Sequence, residues 1–158
     1  MTQESVFSYD VVPYESDTHK VTRPDHLATV ARLFGVDAPD FRNARILELG
    51  CAGGGNLIPM AAAYPESQFV GIDLSEGHIS DAEKLSTGAE LTNVRFHCVS
   101  ITDVDASFGT FDYIIAHGVY AWVPEDVRNR IFSICQNNLS PNGLAYISYN
   151  TLPGWNMV

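Results

Sequence analysis

Two carboxylates flank a glycine-rich turn at a spacing that can hold a nucleoside. Glu48 stands two residues before the first glycine of Glu48-Leu-Gly50-Cys-Ala-Gly53-Gly54-Gly55, and Asp73 lies 23 residues after Gly50. Small residues let a ligand approach the backbone closely. An acid at the end of the following strand can accept both hydroxyls of a ribose. The pair suits any adenosine-containing cofactor and does not by itself separate a dinucleotide from other adenosine ligands. Glu48 narrows the choice. A carboxylate inside a strand is costly without partners. Beside a pyrophosphate it adds repulsion, and beside a ligand carrying an ammonium and a sulfonium it is favourable. The turn also departs from G-x-G-x-x-G, because Ala52 takes the second glycine position.

The elements that must position these residues alternate between strand and helix. Residues 1–24 read as an irregular arm punctuated by Pro13 and Pro24. A helix is expected from Asp25 to Phe34, with Leu27, Val30, Ala31 and Phe34 on its apolar face. Residues 44–50 form the first strand. The glycine turn opens a helix over 56–63, in which Pro59 sits far in for a first-turn proline. The second strand covers 68–74, and Ser75 caps a helix bearing Ile79, Ala82 and Leu85. The third strand is 94–99 and the fourth 111–119. Pro124, Glu125 and Asp126 start a helix whose buried face is Val127, Ile131, Ile134, Cys135 and Leu139. Ser140-Pro-Asn-Gly143 is a turn, and 144–149 is the fifth strand.

This alternation implies a parallel sheet with right-handed crossovers. Ligands of such sheets bind beyond the carboxyl ends of the strands, at the topological switch point. Gly50, Asp73, Ser100 and His117 all lie at such ends. His97 reads as a strand residue and His78 as an exposed helix residue.

Composition bounds the function classes. The 158 residues suit one domain, and a hydrophobic fraction of 46% is enough for a core. A net charge of −10 and the lack of any Lys/Arg run argue against nucleic-acid partners. Cys51, Cys98 and Cys135 are too few and too irregular for a disulfide framework or a metal site, which points to a reducing compartment. No signal peptide and no spanning apolar run are visible, so a cytoplasmic protein without membrane attachment is expected.

Four segments together carry a resemblance. Ile46-Leu-Glu-Leu-Gly-Cys-Ala-Gly-Gly-Gly resembles motif I of class I S-adenosylmethionine-dependent methyltransferases. Phe69-Val-Gly-Ile-Asp-Leu-Ser resembles the segment after it, Phe111-Asp-Tyr-Ile-Ile-Ala-His-Gly-Val the fourth-strand motif, and Leu139-Ser-Pro-Asn-Gly-Leu the turn before strand five. A narrower resemblance is to bacterial methyltransferases with a C-terminal methyltransferase regulatory domain, among them the rickettsial-type protein-lysine methyltransferases. It rests on Gly54-Gly-Asn-Leu-Ile-Pro-Met-Ala, on Ala116-His-Gly-Val-Tyr-Ala-Trp-Val-Pro, on Ser148-Tyr-Asn-Thr-Leu-Pro-Gly-Trp-Asn-Met, and on Tyr9, Pro13 and Tyr14.

The resemblance implies an α/β, Rossmann-like three-layer sandwich with five parallel strands. The C-terminal β-hairpin that normally completes seven strands is absent. It implies an arm and helix over 1–43 that cover the cofactor site, and a cofactor-binding domain over 44–158 that ends after strand five. If strand five is an exposed edge, the chain can self-associate through it. The implied cofactor is S-adenosylmethionine, with S-adenosylhomocysteine as product.

By resemblance, Gly50, Cys51, Ala52 and Gly53 hold the methionine end through their backbone. Glu48 orients that loop, and Asn56 adds a side-chain contact. Asp73 binds the ribose and Leu74 packs on adenine. Ser100 and Ile101 fall where relatives contact adenine, although many relatives carry an acid at the Ser100 position. His117 is either a backbone contact or a base. Tyr120 and Trp122 line an acceptor channel or else pack in the core, and Tyr14 closes over the cofactor from the arm. The catalytic candidates are His117 and Tyr120, and no metal is expected.

Methyl transfer from a sulfonium is an in-line displacement that needs alignment and desolvation more than a covalent nucleophile. The fourth strand lacks the Asn/Asp-Pro-Pro-Tyr/Phe of amide and adenine methyltransferases, and no Pro-Cys supports cytosine chemistry. Protein lysine is the family-level expectation for the acceptor, and a small molecule is its rival. Two readings from other classes are a non-catalytic cofactor-binding fragment and a nicotinamide-dependent oxidoreductase. Glu48 and the fourth-strand motif argue against the latter.

Overall fold

A computed structural model describes residues 17–151. Its strands are β1 (Arg45–Leu49), β2 (Gln68–Asp73), β3 (Val94–Cys98), β4 (Phe111–Ala116) and β5 (Leu139–Ile147). Its α-helices are α1 (Pro24–Leu33), α2 (Leu57–Ala63), α3 (Glu76–Gly88) and α4 (Glu125–Asn138). All strand pairings are parallel, in the order β3-β2-β1-β4-β5. The order reverses between β1 and β4, so the switch point lies beyond Leu49 and Ala116.

Strand side chains alternate between two apolar layers. Ile46, Phe69, Tyr113 and Ile115 pack with Ala28 and Ala31 of α1, Leu57 and Met60 of α2, and Ile79 and Ala82 of α3. Leu47, Leu49, Ile72, Ile114 and Ala116 face the other way, onto Ile131 and Ile134 of α4. With both faces covered, β1 and β4 read as almost continuous apolar runs rather than as an alternation. This is the expected α/β three-layer arrangement.

Several local expectations are corrected. The inward face of α1 is Pro24, Ala28 and Ala31, with Leu27 partly buried, whereas Phe34 is 82% exposed just past the helix end. In α3, Ser86 is buried and Leu85 is exposed. In α4, Asn138 joins Ile131 and Ile134, while Val127, Cys135 and Leu139 are only partly covered. Asn138 is drawn in by its amide, which donates to the carbonyls of Asp105 and Gly109. β4 stops at Ala116 because the chain turns at Gly118, with φ 69°. The 140–143 turn is a loop-out inside β5: pairing steps from Phe111↔Leu139 to Tyr113↔Leu144, and Asn142 takes φ 63°.

Pro59 is explained by where α2 begins. It is the third residue of the helix, where a backbone N–H has no partner within the helix. The carbonyl of Gly55 therefore gets no donor from position 59 and accepts from Thr18 Oγ1 at 3.1 Å.

Gly71, in the middle of β2, lets α2 and the glycine loop pack onto the sheet. A Cβ there would meet Cys51 Sγ and Phe96 Cδ1 at 2.8 Å and Leu57 Cδ1 at 2.9 Å. Gly71→Ala should lower unfolding stability by roughly 1–3 kcal/mol through overpacking, read from denaturant titration with an unchanged m-value.

Candidate cofactor site at the carboxyl ends of the strands

Glu48 is the fourth residue of β1 and is 3% exposed. Its Oε1 accepts from Asn56 Nδ2 at 2.7 Å, and its Oε2 has no hydrogen-bond partner among the described residues. Loss of hydration pushes its carboxyl up to about 8, against the opposing bond from Asn56 and with help from the nearby Asp73 charge. At neutral pH, without a cation to face, this acid holds its proton.

Asn56, immediately before α2, is the hub of the local network. Its Nδ2 reaches both Glu48 and Thr22 Oγ1, the latter at 3.0 Å. Its Oδ1 lies 3.0 Å from the His19 backbone N–H and 3.2 Å from the Thr22 hydroxyl. Thr22 is fully buried, in a short 3-10 turn over Lys20–Thr22. The N-terminal segment is thus pinned to the glycine loop by Thr18, His19 and Thr22 together. Sequence reasoning missed His19 and Thr22, because a polar arm gives no periodic signal.

The glycine loop is built on left-handed backbone, which glycine adopts freely and Ala52 does not. Gly50 has φ 75°, Ala52 φ 45° and Gly54 φ 77°. A Cβ on Gly50 would stand 2.6 Å from Val119 Cγ2, so this glycine lets the loop after β1 and the loop after β4 touch. The backbone donors of the loop are largely committed inside the protein. Gly50 N–H and Cys51 N–H both donate to the Ile72 carbonyl at 2.9 Å, and Ala52 N–H donates to Asp73 Oδ2 at 2.9 Å. The expected backbone role of Gly50, Cys51 and Ala52 is therefore limited to close approach and carbonyl contacts. Cys51 is buried, and its thiol is raised well above the usual range by desolvation, then by Glu48 and Asp73.

Asp73 ends β2, with Oδ2 on Ala52 N–H and Oδ1 on the Ser75 N–H at 2.9 Å. Each carboxylate oxygen has a second acceptor site, so ribose hydroxyls can still be bound. His78 is not exposed. It is folded under Asp73, Nδ1 is 3.7 Å from Asp73 Oδ1, and neither ring nitrogen has a hydrogen-bond partner among the described residues. Ser75, which caps α3 by accepting from His78 N–H, holds that first turn in place.

The other predicted residues are placed unevenly. Leu74 is half-exposed at the end of β2, open to a ligand. Ser100 caps a 3-10 turn by accepting from Thr102 N–H, and Ile101 packs partly on the α4-side core. His117 follows β4 directly, with Nδ1 buried and unpartnered among the described residues. Tyr120 packs against Phe132 and Tyr149, at centroid distances of 5.6 and 6.3 Å, with Arg128 5.9 Å from its ring. Trp122 is 63% exposed. Gly53 lies in the loop, and Tyr14 falls outside the described residues. Glu48, Asn56, Asp73 and His117 therefore gather at the switch point, whereas Tyr120 and Trp122 sit on the α4 side. Two surface grooves, of about 490 Å³ between α3 and β3 and about 310 Å³ beside α4, are not lined by Glu48, Asp73 or His117. Converging polar groups, rather than volume, locate the site.

Comparisons with known proteins identify the family. Residues 46–143 match the model of the methyltransferase domain family. The chain is 61% identical over 150 residues to the uncharacterised protein RP789 of Rickettsia prowazekii, covering 95% of this chain and 27% of that protein. It is 48% identical to RP028 of the same organism, over 95% of this chain and 60% of the relative. The solved structure of PKMT2 from Rickettsia typhi in complex with AdoHcy superposes with a TM-score of 0.87 at 45% identity, over 92% of this chain and 28% of that one. The chain thus spans less than two thirds of each of these proteins.

Because the raised Glu48 acid is protonated in the fold and ionised when unfolded above pH 4.5, it contributes stability at low pH. That contribution is lost as pH rises towards about 8. Glu48→Gln should remove this dependence. In ligand-free thermal melts the variant should gain on the parent between pH 5.5 and 8.5 by on the order of 3 kcal/mol.

Proposed function

The chain belongs to the methyltransferase domain family, and we propose that it binds S-adenosylmethionine in the crevice between Glu48, Asp73 and His117 and acts as a methyltransferase. The observation that carries this reading is the buried Glu48 carboxyl with one oxygen unpartnered among the described residues, on the same sheet face as Asp73. An anionic ligand end would gain no charge partner there. An α-ammonium completes the site, and the ribose hydroxyls fall to Asp73.

When bound, the cofactor supplies a methyl group on a sulfonium, a good leaving group. The residues of the chain then bind, orient and exclude water. Glu48 takes the ammonium and Asn56 fixes the Glu48 rotamer. Gly50, Cys51, Ala52 and Gly53 approach the methionine portion closely. Leu74, with Ser100 and Ile101, borders the adenine. The described part of the 1–43 segment caps the 44–158 domain through Thr18, His19 and Thr22. His117, at the acceptor side, contacts the cofactor or takes a proton, with Tyr120 beyond it. The likeness to PKMT2 supports a protein-lysine acceptor, and the fourth-strand sequence Ala116-His-Gly-Val departs from that of amide and adenine methyltransferases.

Titration calorimetry with S-adenosylhomocysteine, with NAD as control, tests the reading. Saturable binding of S-adenosylhomocysteine alone is expected, and Asp73→Ala should weaken it at least about tenfold by removing charged hydrogen bonds. No binding by the folded chain overturns the cofactor assignment. Since Glu48 must ionise to pair with the ammonium, binding at pH 7 should release up to one proton per site. The release is read from enthalpies in buffers of different ionisation heat, and Glu48→Gln should abolish it.

A further inference from the structure

Beyond β4, two imidazoles meet. The rings of His19 and His117 have centroids 3.9 Å apart at 46°, and Tyr146 of β5 lies 5.9 Å from the His117 ring. The contact is built rather than incidental. The His19 N–H is held by Asn56 Oδ1, the preceding Thr18 is held by the Gly55 carbonyl, and Thr22 locks the turn that follows. The same asparagine that grips Glu48 therefore sets the height of the His19 ring over His117. Nδ1 of His117 is buried without a hydrogen-bond partner among the described residues, an arrangement that disfavours a charged ring. Burial, and then the neighbouring His19, hold His117 below the usual histidine range.

This inference rests on the cofactor reading above. The sulfur joins the ribose, assigned to Asp73, to the amino-acid end, assigned to Glu48. It therefore lies over the end of β1, the strand that β2 and β4 flank, with His117 just past the end of β4. We propose that His19 and His117 form an imidazole wall beside the sulfonium, in which His19 covers His117, and that protonating His117 selectively weakens binding of the cationic cofactor relative to its uncharged-sulfur product. His19 thereby becomes a specificity-determining residue of the site, supplied by the N-terminal segment. The titratable groups against the His117 ring are His19 from that segment and Tyr146 from β5. Arg23 and Asp25 at the start of α1 are paired with each other. The two ligands share the ammonium, carboxylate and ribose, and a charge change at Glu48 also acts on the sulfur, so the part of the pH effect that belongs to the wall is the part the histidine variants remove. Only the sulfur charge separates them.

The test is the ratio of the dissociation constants of S-adenosylmethionine and S-adenosylhomocysteine, measured on the full chain by calorimetry at pH 8 and pH 5. The ratio should rise at least roughly fivefold on acidification, the effect of two like charges about 4 Å apart even in bulk water. His19→Gln and His117→Gln should each flatten the rise while S-adenosylhomocysteine still binds, which also reports that the variant is folded. If His117→Gln fails to fold, His19→Gln decides alone. A ratio that does not change with pH in the parent chain, or a rise that persists in His19→Gln, overturns the proposal. Failure of both ligands to bind at pH 8 overturns the cofactor reading itself and the wall with it.

Discussion

The structure turns on one bond, from the Asn56 amide to the buried Glu48 carboxyl. A carboxyl inside a parallel strand loses its hydration and regains only part of that loss from a single neutral donor. Asn56 must therefore stay rotated towards β1, and its remaining hydrogen-bonding capacity is then spent on the N-terminal segment. One amide fixes an acid, a loop and an arm. The result is a buried acid with one oxygen still unpartnered among the described residues, so in the proposed complex ligand binding and proton balance are coupled.

Asp73 shows a second economy. A family reading treats this acid as a ligand contact. In the fold it also organises the protein, holding Ala52 in a left-handed conformation through Oδ2 and the entry to α3 through Oδ1. In the proposed cofactor complex, the lone pairs that take the ribose hydroxyls are the ones left after the loop has been shaped. This makes Asp73 rigid, and rigid acceptors lose little entropy when they capture hydroxyls.

Much of this was legible in the sequence, for identifiable reasons. The glycine turn after an apolar run, the acid at the end of the next strand and the proline-acid start of α4 are local signals, and each lies where the strand–helix alternation puts it. The failures occurred where tertiary context outweighs periodicity. On α1 and α3 the small residues Ala28 and Ser86 face the sheet while Phe34 and Leu85 stand out, because close helix–sheet packing favours small side chains. Asn138 was missed because its burial depends on two carbonyls about 30 residues earlier. His19 and Thr22 were unreadable because their partners are distant and no pattern marks them. Pro59, which looked misplaced, is consistent once the helix is seen to start at Leu57.

The anchors of the N-terminal segment lie 34 to 37 residues ahead in sequence for Thr18, His19 and Thr22, and the His19 ring rests on residue 117. None of these surfaces exists until β1, the glycine loop and β4 are assembled. Although this segment leaves the ribosome before them, it has nothing to dock on until the sheet is in place. In order of assembly, the earliest-made part of the described chain is a closing clasp: it locks late and is the natural first piece to open.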